Sequence, residues 1–465
     1  MSTIADKLQE LINSKADMKS AIVEKGVEVE GGLTTYAAAI RKIQQWAGDR
    51  FAAIGYNGEN TGGFIQVMDA DIEVSKRLLD EWNSIGYVSM SKWKDDTVYF
   101  PVVDLTMKPS NMNISFKYWS KLQVVPSLDF TRRTSMNGLF YRCKSLKYIG
   151  NITGTESVTD TNYMFDGCSS LTTIPQLNTS SVSSMEYMFR DCASLTTVPQ
   201  MDTSRVSSMR GMFDGCSSLT TVPQLNTISA TNLSGMFSGC SSLTTVSQMD
   251  TSSATNLSLM FNGCSSLTTV PQLNTSSATN LSGMFSGCSS LTTVPQLNTS
   301  SALSMSMMFS SCSSLTTVPQ MDTSSVTSMD GMFQYCTSLT TVSQMDTSSV
   351  TEMGRMFTSC ESLTSIPLLD CSSITNATAP FVFSSNLYNL TDLGGFKNLK
   401  VNWSIGFLNM IANLTVESLM NVINNLYDLT ANGLSGKTLN FGTHNLNKLT
   451  DEQIAVAINK GWTLI

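Results

Sequence analysis

Residues 164–187, which read MFDGCSSLTTIPQLNTSSVSSMEY, decide the fold because close copies of this stretch follow one another along the chain. The cysteine recurs every 24 residues from Cys168 to Cys360, and Cys143 lies 25 residues before Cys168. Self-similarity with a period of about 20 to 50 residues is typical of solenoids, in which each repeat forms one coil that stacks on its neighbours. The sequence therefore predicts a solenoid.

Further apolar residues keep the register of the cysteine, from which we count positions within a coil. Phe lies at −3, Leu at +3, Ile or Val at +6 and, from Cys168 onwards, Leu or Met at +9. We interpret the residues from the cysteine to +9 as a short strand, which ends where a proline such as Pro175 cannot donate to a ladder. Apolar residues at +14, +17, +20 and +21 have helical spacing and predict a short helix in each coil.

The predicted fold class is therefore an α/β solenoid of leucine-rich-repeat-like coils, each with a short parallel strand plus a short helix. The residues Met164-Phe165-Asp-Gly-Cys168-Ser-Ser-Leu171-Thr-Thr-Ile174 resemble the motif A-F-x-x-C-x-x-L-x-x-I of the BspA-like leucine-rich-repeat family of bacterial surface proteins. The resemblance covers about two thirds of the chain. It implies a solenoid that serves adhesion or protein binding and that carries no catalytic residues.

Four segments are predicted along the chain. They are a helical N-terminal segment for oligomerisation or docking (1–47), an N-terminal cap or connector (48–94), the solenoid (95–395) and an α/β C-terminal cap (396–465). In the cap, Thr415 is predicted to begin one helix, and Thr450 and Gln453 to form the capping box of another helix that contains Ile454 and Ile458.

The first 47 residues contain an apolar pattern at heptad spacing, which fits a plain helical hairpin or a short oligomerisation or docking segment. The residues Lys25-Gly26-Val27 and Gly31-Gly32-Leu33-Thr34-Thr35-Tyr36, followed by Ile40 and Ile43, resemble N-terminal segments of structural proteins of tailed phages from gut bacteria. That resemblance implies docking to other virion proteins. The predicted docking residues are Ile4, Leu8, Leu11, Met18 and Ile22.

Three columns of repeated side chains are candidates for chemistry. We interpret the cysteines as buried free thiols, since parallel stacked positions do not suit disulfides and metal sites need converging ligands. Asn or Asp at +10 is interpreted as a turn residue, with a Ca²⁺ site as the alternative. Thr at +4 is predicted to form an exposed strand face, either merely solvated or a flat hydroxyl surface for glycan, protein or ice. This binding column is Thr172, Thr196, Thr220, Thr244, Thr268, Thr292, Thr316 and Thr340.

Composition narrows the function. The formal net charge of −8 argues against a nucleic-acid partner, which requires a basic face. No run of 18 apolar residues occurs, so we expect no membrane insertion, and the first 20 residues lack the apolar core of a Sec signal. The chain has one histidine, His444, and no catalytic motif. We therefore expect no enzyme, no cofactor and no bound metal.

The two resemblances and the lack of an export signal together indicate a phage virion protein that assembles in the host cytoplasm. We expect a head or tail fibre or a decoration protein, homo-oligomeric and by analogy with fibres trimeric, whose solenoid contacts a host-surface protein or glycan. The alternative is a bacterial BspA-like adhesin or interaction scaffold that is exported by a non-Sec route.

Overall fold

The computed structural model describes the repeats, the C-terminal cap and three short strands near the N-terminus. The described residues are 51–54, 64–68, 102–103, 115–125, 128–131, 133–374, 387–400, 411–434 and 436–465. They fall into two units. One unit contains the first three strands and residues 121–128, and the other contains residues 115–120 and all described residues from Asp129 onwards.

The first unit holds a small antiparallel sheet of strands β1 (Phe51–Ile54), β2 (Phe64–Met68) and β3 (Val102–Val103) in that order. Ile54 pairs with Ile65, and Phe64 pairs with Val103. The antiparallel pairing differs from the parallel stacking of the coils. The four predicted segment bounds stay predictions.

Short strands occur in the outermost coils at +5 and +6, within the predicted strand, and again at +9 and +10, beyond the proline position at which the sequence predicts that the strand ends. The strands are β4 (Val124–Val125), β5 (Leu128–Asp129), β6 (Tyr148–Ile149), β7 (Ile152–Thr153), β8 (Ser365–Ile366), β9 (Leu369–Asp370), β10 (Asp392–Leu393) and β11 (Phe396–Lys397). Strands β10 and β11 pair in parallel with β8 and β9 of the preceding coil. The coils from Cys168 to Cys336 form no regular strand at these positions. Neighbouring coils are joined there at +4 by hydrogen bonds such as that from Thr340 N–H to the Thr316 carbonyl at 3.1 Å.

The most regular contact between coils lies at +15 and +16, where a parallel bridge joins each coil to the next from Ser135 to Glu352. The N–H of Thr255 donates to the carbonyl of Thr231 in the preceding coil at 2.9 Å, and the same bond recurs in neighbouring coils. This ladder follows directly after the apolar residue at +14, which is buried in every coil. It therefore fixes the backbone close to the core.

The segment from +14 to +21 does not form the predicted helix. Its backbone N–H groups donate alternately to carbonyls of the same coil and to carbonyls of the next coil. Met260 donates to the carbonyl of Leu257 within the coil at 3.3 Å, whereas Leu259 donates to the carbonyl of Ser282 in the next coil at 2.9 Å. One residue of this segment in each coil, such as Leu259 with a φ value of 57°, lies in the left-handed region, which no right-handed helix accommodates, and so does a residue just after the segment, such as Gly263 at 70°. The segment is thus a series of tight turns. The predicted solenoid of leucine-rich-repeat-like coils is confirmed, and the placement of elements within the coil is corrected.

Stacked phenylalanines form the centre of the core. From Phe116 to Phe357 the rings stack in parallel, with centroids 5.2–5.8 Å apart and interplanar angles of 4–8°. Trp119 takes the place of the cysteine in the coil of Phe116 and is buried. Threonines at +11 are also buried, and their hydroxyls donate to backbone carbonyls of the next coil, as from Thr275 to Asn298 at 2.6 Å. Repetition of one buried layer therefore builds the whole core.

The C-terminal cap combines helices α1 (Val416–Asn425), α2 (Gly442–Leu446) and α3 (Asp451–Asn459), a 3-10 helix (Thr430–Asn432), and parallel strands β12 (Lys437–Leu439) and β13 (Trp462–Leu464). Thr415 caps α1, and the capping box of Thr450 and Gln453 is confirmed. Ile454 and Ile458 lie on α3 as predicted; Ile458 is 58% exposed, and Ala457 is the buried residue of this helix. Lys460 Nζ donates to three carbonyls at the end of α1, including that of Asn424 at 2.6 Å.

Candidate binding surface

The threonine column at +4 lies on the surface of the solenoid. All eight predicted threonines, Thr172 to Thr340, are exposed, and so is the threonine that follows each of them at +5. Two consecutive exposed residues cannot belong to a regular strand, whose side chains alternate. The column is therefore a double row of exposed hydroxyls at +4 and +5. Its role in binding stays a prediction.

A shallow groove runs beside this double row. In the coils from Gln248 to Asp322 it encloses about 830 Å³, and a similar groove of about 790 Å³ lies in the coils from Gln200 to Asp250. One wall is formed by a glutamine at +8 and the other by the Asn or Asp at +10, while buried Leu and Met at +9 form the floor. The groove thus repeats the same polar walls and apolar floor in successive coils.

The glutamine column forms a ladder of side-chain amides that the sequence analysis did not identify. The amide of Gln272 donates to the carbonyl of Gln296 in the next coil at 2.6 Å and to that of Leu273 at 3.3 Å. Gln224 makes the same bond to Gln248. Both amide protons are directed at backbone carbonyls, so the side-chain oxygens are left as acceptors along the groove. The signal was present in the sequence, since glutamine recurs at +8 in eight successive coils. Those glutamines are Gln176, Gln200, Gln224, Gln248, Gln272, Gln296, Gln320 and Gln344.

The Asn and Asp residues at +10 hold the turn that follows them. One side-chain oxygen accepts the backbone N–H and the hydroxyl of the serine two residues on, as between Asp250 and Ser252 at 2.9 and 2.6 Å. These hydrogen bonds lower the pKa of Asp250 and, in the same way, of Asp322. No helix follows the turn, so these residues do not cap one. Within the described ranges no group of three or more His, Cys, Asp or Glu residues is placed to hold a metal ion.

The cysteines belong to the core. Cys143, the nine cysteines that follow it in register and Cys371 are all buried free thiols. Each thiol in register donates to the backbone carbonyl of the phenylalanine one coil earlier, as from Cys192 to Phe165 at 3.1 Å. Burial raises the pKa of Cys264 to about 12, so the thiol stays protonated and unreactive near neutral pH.

The first coils carry a patch of aromatic and basic side chains that the sequence analysis also missed. The Tyr163 and Tyr187 rings stack with centroids 5.3 Å apart, and the guanidinium of Arg190 lies 4.7 Å from the Tyr187 centroid. Arg190 also forms an ion pair with the buried carboxylate of Asp166 at 2.5 Å. Comparison of the coils could have found the patch, because later coils have Gly or Ser at several of these positions.

The predicted docking residues Ile4, Leu8, Leu11, Met18 and Ile22 lie outside the described residues, so the docking role stays a prediction. Among the helices that the structure describes, none combines the length and the apolar composition required to cross a membrane. The single histidine, His444, lies exposed on α2, where its ring nitrogen is 3.2 Å from the carbonyl of Ala412.

Comparisons with solved structures give leucine-rich-repeat proteins. The chain is similar to a leucine-rich repeat protein of T. pallidum, with 21% identity over 41% of this chain and 76% of that one, at a TM-score of 0.26. It is also similar to a leucine-rich repeat protein of Eubacterium ventriosum, with 15% identity over 76% of this chain and 97% of that one, at a TM-score of 0.29. At these scores the likenesses add nothing on function. No curated protein matches the sequence.

The repeats themselves match a family model. The model described as "Mycoplasma protein of unknown function, DUF285" matches residues 134–245, 207–320 and 292–393, which together make up more than half of the chain. These matches coincide with the coils that share the phenylalanine and cysteine columns. The protein is thus a leucine-rich-repeat-like solenoid with an extended surface suited to protein interaction, and it belongs to the DUF285 family.

Proposed function

We propose that this chain is a non-enzymatic binding protein of a phage virion, a head or tail fibre or a decoration protein, that presents its solenoid to a partner on the host surface. The groove beside the threonine column carries the proposal. It repeats glutamine oxygens and Asn or Asp side chains over successive coils, which suits an extended ligand better than a compact substrate. A host-surface protein is the first candidate partner and a glycan the second.

The charge of the groove indicates which groups the partner presents. Residues 211–354 contain six acidic side chains and no Lys or Arg. Two of the acidic side chains, Asp250 and Asp322, line the groove. The surface therefore offers acceptors and negative charge, and it favours a partner that supplies amide N–H groups, lysine, arginine or hydroxyl groups.

Two observations support a virion. The N-terminal segment resembles those of phage structural proteins, and through it the chain would dock to other virion proteins and form a homo-oligomer, by analogy with fibres a trimer. The eleven cysteines are free and buried, which suits assembly in the reducing cytoplasm of the host.

Proteomics of purified particles tests the location. We expect the chain in gradient-purified particles from the host culture, at a stoichiometry that is a multiple of three. Recovery in the envelope of cells that release no particles would contradict the virion and favour the bacterial adhesin or scaffold.

Binding of the labelled, purified full-length chain to host cells tests the surface. Asn274→Arg places a bulky cation in the groove and is expected to reduce binding about ten-fold, since losses of this size mark central contacts of an interface. Asn274→Ala removes the same turn hydrogen bonds without bulk and serves as the matched control. Loss of binding with Thr268→Arg alone would assign the contact to the threonine column instead. Sensitivity to proteinase K or to periodate treatment of the cells distinguishes a protein from a glycan partner.

A further inference from the structure

The first coils of the solenoid carry half-buried tyrosines and exposed arginines at positions where most other coils have neither residue type. Tyr163 and Tyr187 occupy position −5, which is Gly at 138, 211, 235, 283 and 331 and is Leu, Met or Arg at 259, 307 and 355. The φ angle at this position is positive in all of these coils, 57° for Tyr163 and 54° for Tyr187. A bulky residue is disfavoured there, while glycine is not. The fold thus has no need of these two tyrosines, and their presence points to a role outside folding.

The tyrosine rings are held in place by their surroundings. The ring of Tyr187 covers Gly211 of the next coil, where a Cβ atom would overlap it. Arg190 contacts both rings, with centroid distances of 5.7 Å to Tyr163 and 4.7 Å to Tyr187, and its bonds to buried Asp166 fix its position. The surface is therefore ordered before any partner binds, which lowers the entropic cost of binding.

Two further guanidinium groups flank the tyrosines. Arg142 lies over the ring of Tyr141 at 5.3 Å, and Arg210 lies over that of Tyr187 at 5.4 Å. Both arginines are exposed, and neither forms an ion pair with any residue that the structure describes. Unlike Arg190, they have their charge available for a partner.

We propose that Tyr141, Tyr163, Tyr187, Arg142 and Arg210 form a binding site, the Tyr/Arg patch, for an acidic segment of a protein partner. Tyr and Arg are the residues most enriched at the energetic centres of protein interfaces. Guanidinium groups bind carboxylates through two parallel hydrogen bonds. The site differs from the groove in place and in charge, so it goes beyond the proposed function and does not depend on it.

The spacing of the arginines predicts the spacing of the partner's carboxylates. Arg142 and Arg210 belong to coils three steps apart, roughly 15 Å along the stack at the usual strand spacing. An extended peptide covers this distance in about four or five residues. Glu186 and Asp191 lie close to the patch. These carboxylates repel a continuous polyanion such as a nucleic acid. A peptide with two separate carboxylates, one for each arginine, and an apolar side chain between them matches the charges of the patch better.

Selection from a displayed library of random 12-residue peptides tests the proposal, with the full-length chain as target. The variant for counter-selection carries Arg142→Gly, Tyr163→Gly, Tyr187→Gly and Arg210→Ser, each the residue of other coils at that position. It is expected to keep its circular dichroism and melting temperature. Enriched peptides should contain two acidic residues four or five positions apart and should lose at least about ten-fold in affinity for the variant.

A matched control makes the same backbone change outside the patch. Leu259→Gly with Met307→Gly also restores glycine at position −5 and is expected to leave peptide binding unchanged. Enriched peptides without acidic residues, or no enrichment over the variant, would overturn the proposal. A dT20 oligonucleotide or heparin that binds the patch as tightly as the peptides, with the same loss in the variant, would identify a general polyanion site and also overturn it.

Discussion

The thiol of Cys264 donates a hydrogen bond to the backbone carbonyl of Phe237, one coil earlier, at 3.1 Å. The same bond recurs for all ten cysteines in register, at 2.9–3.2 Å. The phenylalanine carbonyl at −3 therefore accepts two hydrogen bonds within the dry core. For Phe237 one comes from the backbone N–H of Cys240 in the same coil, at 3.1 Å, and the other from the thiol of Cys264. The cysteine serves as a small apolar residue that also supplies a donor.

Replacement of Cys264 by alanine is expected to destabilise the solenoid by about 1–2 kcal/mol, because it removes the thiol's hydrogen bond to the Phe237 carbonyl and opens a small void. The midpoint of urea unfolding, followed by circular dichroism, measures the loss. Thr269→Ala, at an exposed position of the same coil, is the control and should change the midpoint little. Equal midpoints for the two variants would show that the thiol hydrogen bond contributes nothing.

The thiol column also predicts how stability depends on pH. Burial raises the pKa of Cys143, Cys264 and Cys336 to about 12, from an ordinary value of 9.0. Below pH 9 these thiols are protonated in both the folded and the unfolded chain, so they add no pH dependence. Between pH 9 and 12 the unfolded chain releases protons that the folded chain retains. Stability is therefore expected to fall over this window, by about 1.4 kcal/mol per pH unit for each such thiol.

Urea unfolding at pH 8, 9, 10 and 10.5 in the presence of a reductant measures this slope. The control replaces Cys264, Cys288 and Cys312 by valine, which removes three of the titrating groups and should make the slope shallower by about 4 kcal/mol per pH unit. Lysine and tyrosine titration is common to both proteins and cancels in the comparison. An unchanged slope in the valine variant would contradict the assignment.

The sequence predicts the solenoid correctly because the same pattern of buried residues recurs in every coil. A fixed period, with Phe, Cys and Leu in constant register, leaves no other way to bury these residues than to stack the coils. The capping box at Thr450 is equally local and is confirmed. The helix predicted from +14 to +21 fails because apolar spacing alone cannot distinguish a helix from successive turns. The positive φ values at Leu259 and at the glycines of position −1, such as Gly263, are compatible with turns and not with a right-handed helix.

The surface was harder to predict. The glutamine at +8 was visible as a repeat, but its ladder depends on the distance between coils, which places Gln272 Nε2 at the Gln296 carbonyl. The Tyr/Arg patch is built from departures from the repeat. Tyr163 and Tyr187 do not belong to the shared pattern of the coils, because no other coil has tyrosine at position −5.

The glutamine ladder predicts a pH-sensitive variant. Gln272→Glu keeps the shape of the side chain but replaces the donor amide by a carboxylate that faces two backbone carbonyls. At pH 7 we expect the free energy of unfolding to fall by about 1–3 kcal/mol, because the carboxylate then faces backbone carbonyls that are also acceptors. The folded chain should raise the pKa of the new carboxyl, so stability should recover as the pH falls and the protonated acid donates again. Gln272→Ala loses the bond without this recovery and is the control. A pH-independent loss in Gln272→Glu would show that the amide bond is not a donor interaction.

Limited proteolysis tests whether the folded solenoid protects its backbone from cleavage. No lysine occurs between Lys147 and Lys397, and the only arginines there are Arg190, Arg205, Arg210 and Arg355. Hydrogen bonds to neighbouring coils hold the N–H groups that follow two of these sites, from Asp191 to the carbonyl of Asp214 at 2.7 Å and from Gly211 to that of Ser234 at 2.8 Å. A protease must pull several residues out of the stack to reach such a bond. We therefore expect trypsin to leave a stable fragment of residues 148–397, identified by mass spectrometry, as would suit a protein that works in a protease-rich place such as the gut.

Two comparisons separate protection by structure from the scarcity of sites. In 6 M urea the same digestion should proceed rapidly at all four arginines. Asn274→Lys adds a site at an exposed position of the groove and should remain uncut in the folded chain. The Thr251 hydroxyl of the preceding coil donates to the carbonyl of residue 274, and the Thr275 hydroxyl donates to the Asn298 carbonyl of the next coil. Fragments that end at Arg205 or Arg210 within the first minutes of digestion of the folded chain would mean that the coils open readily, contrary to the hydrogen-bond pattern.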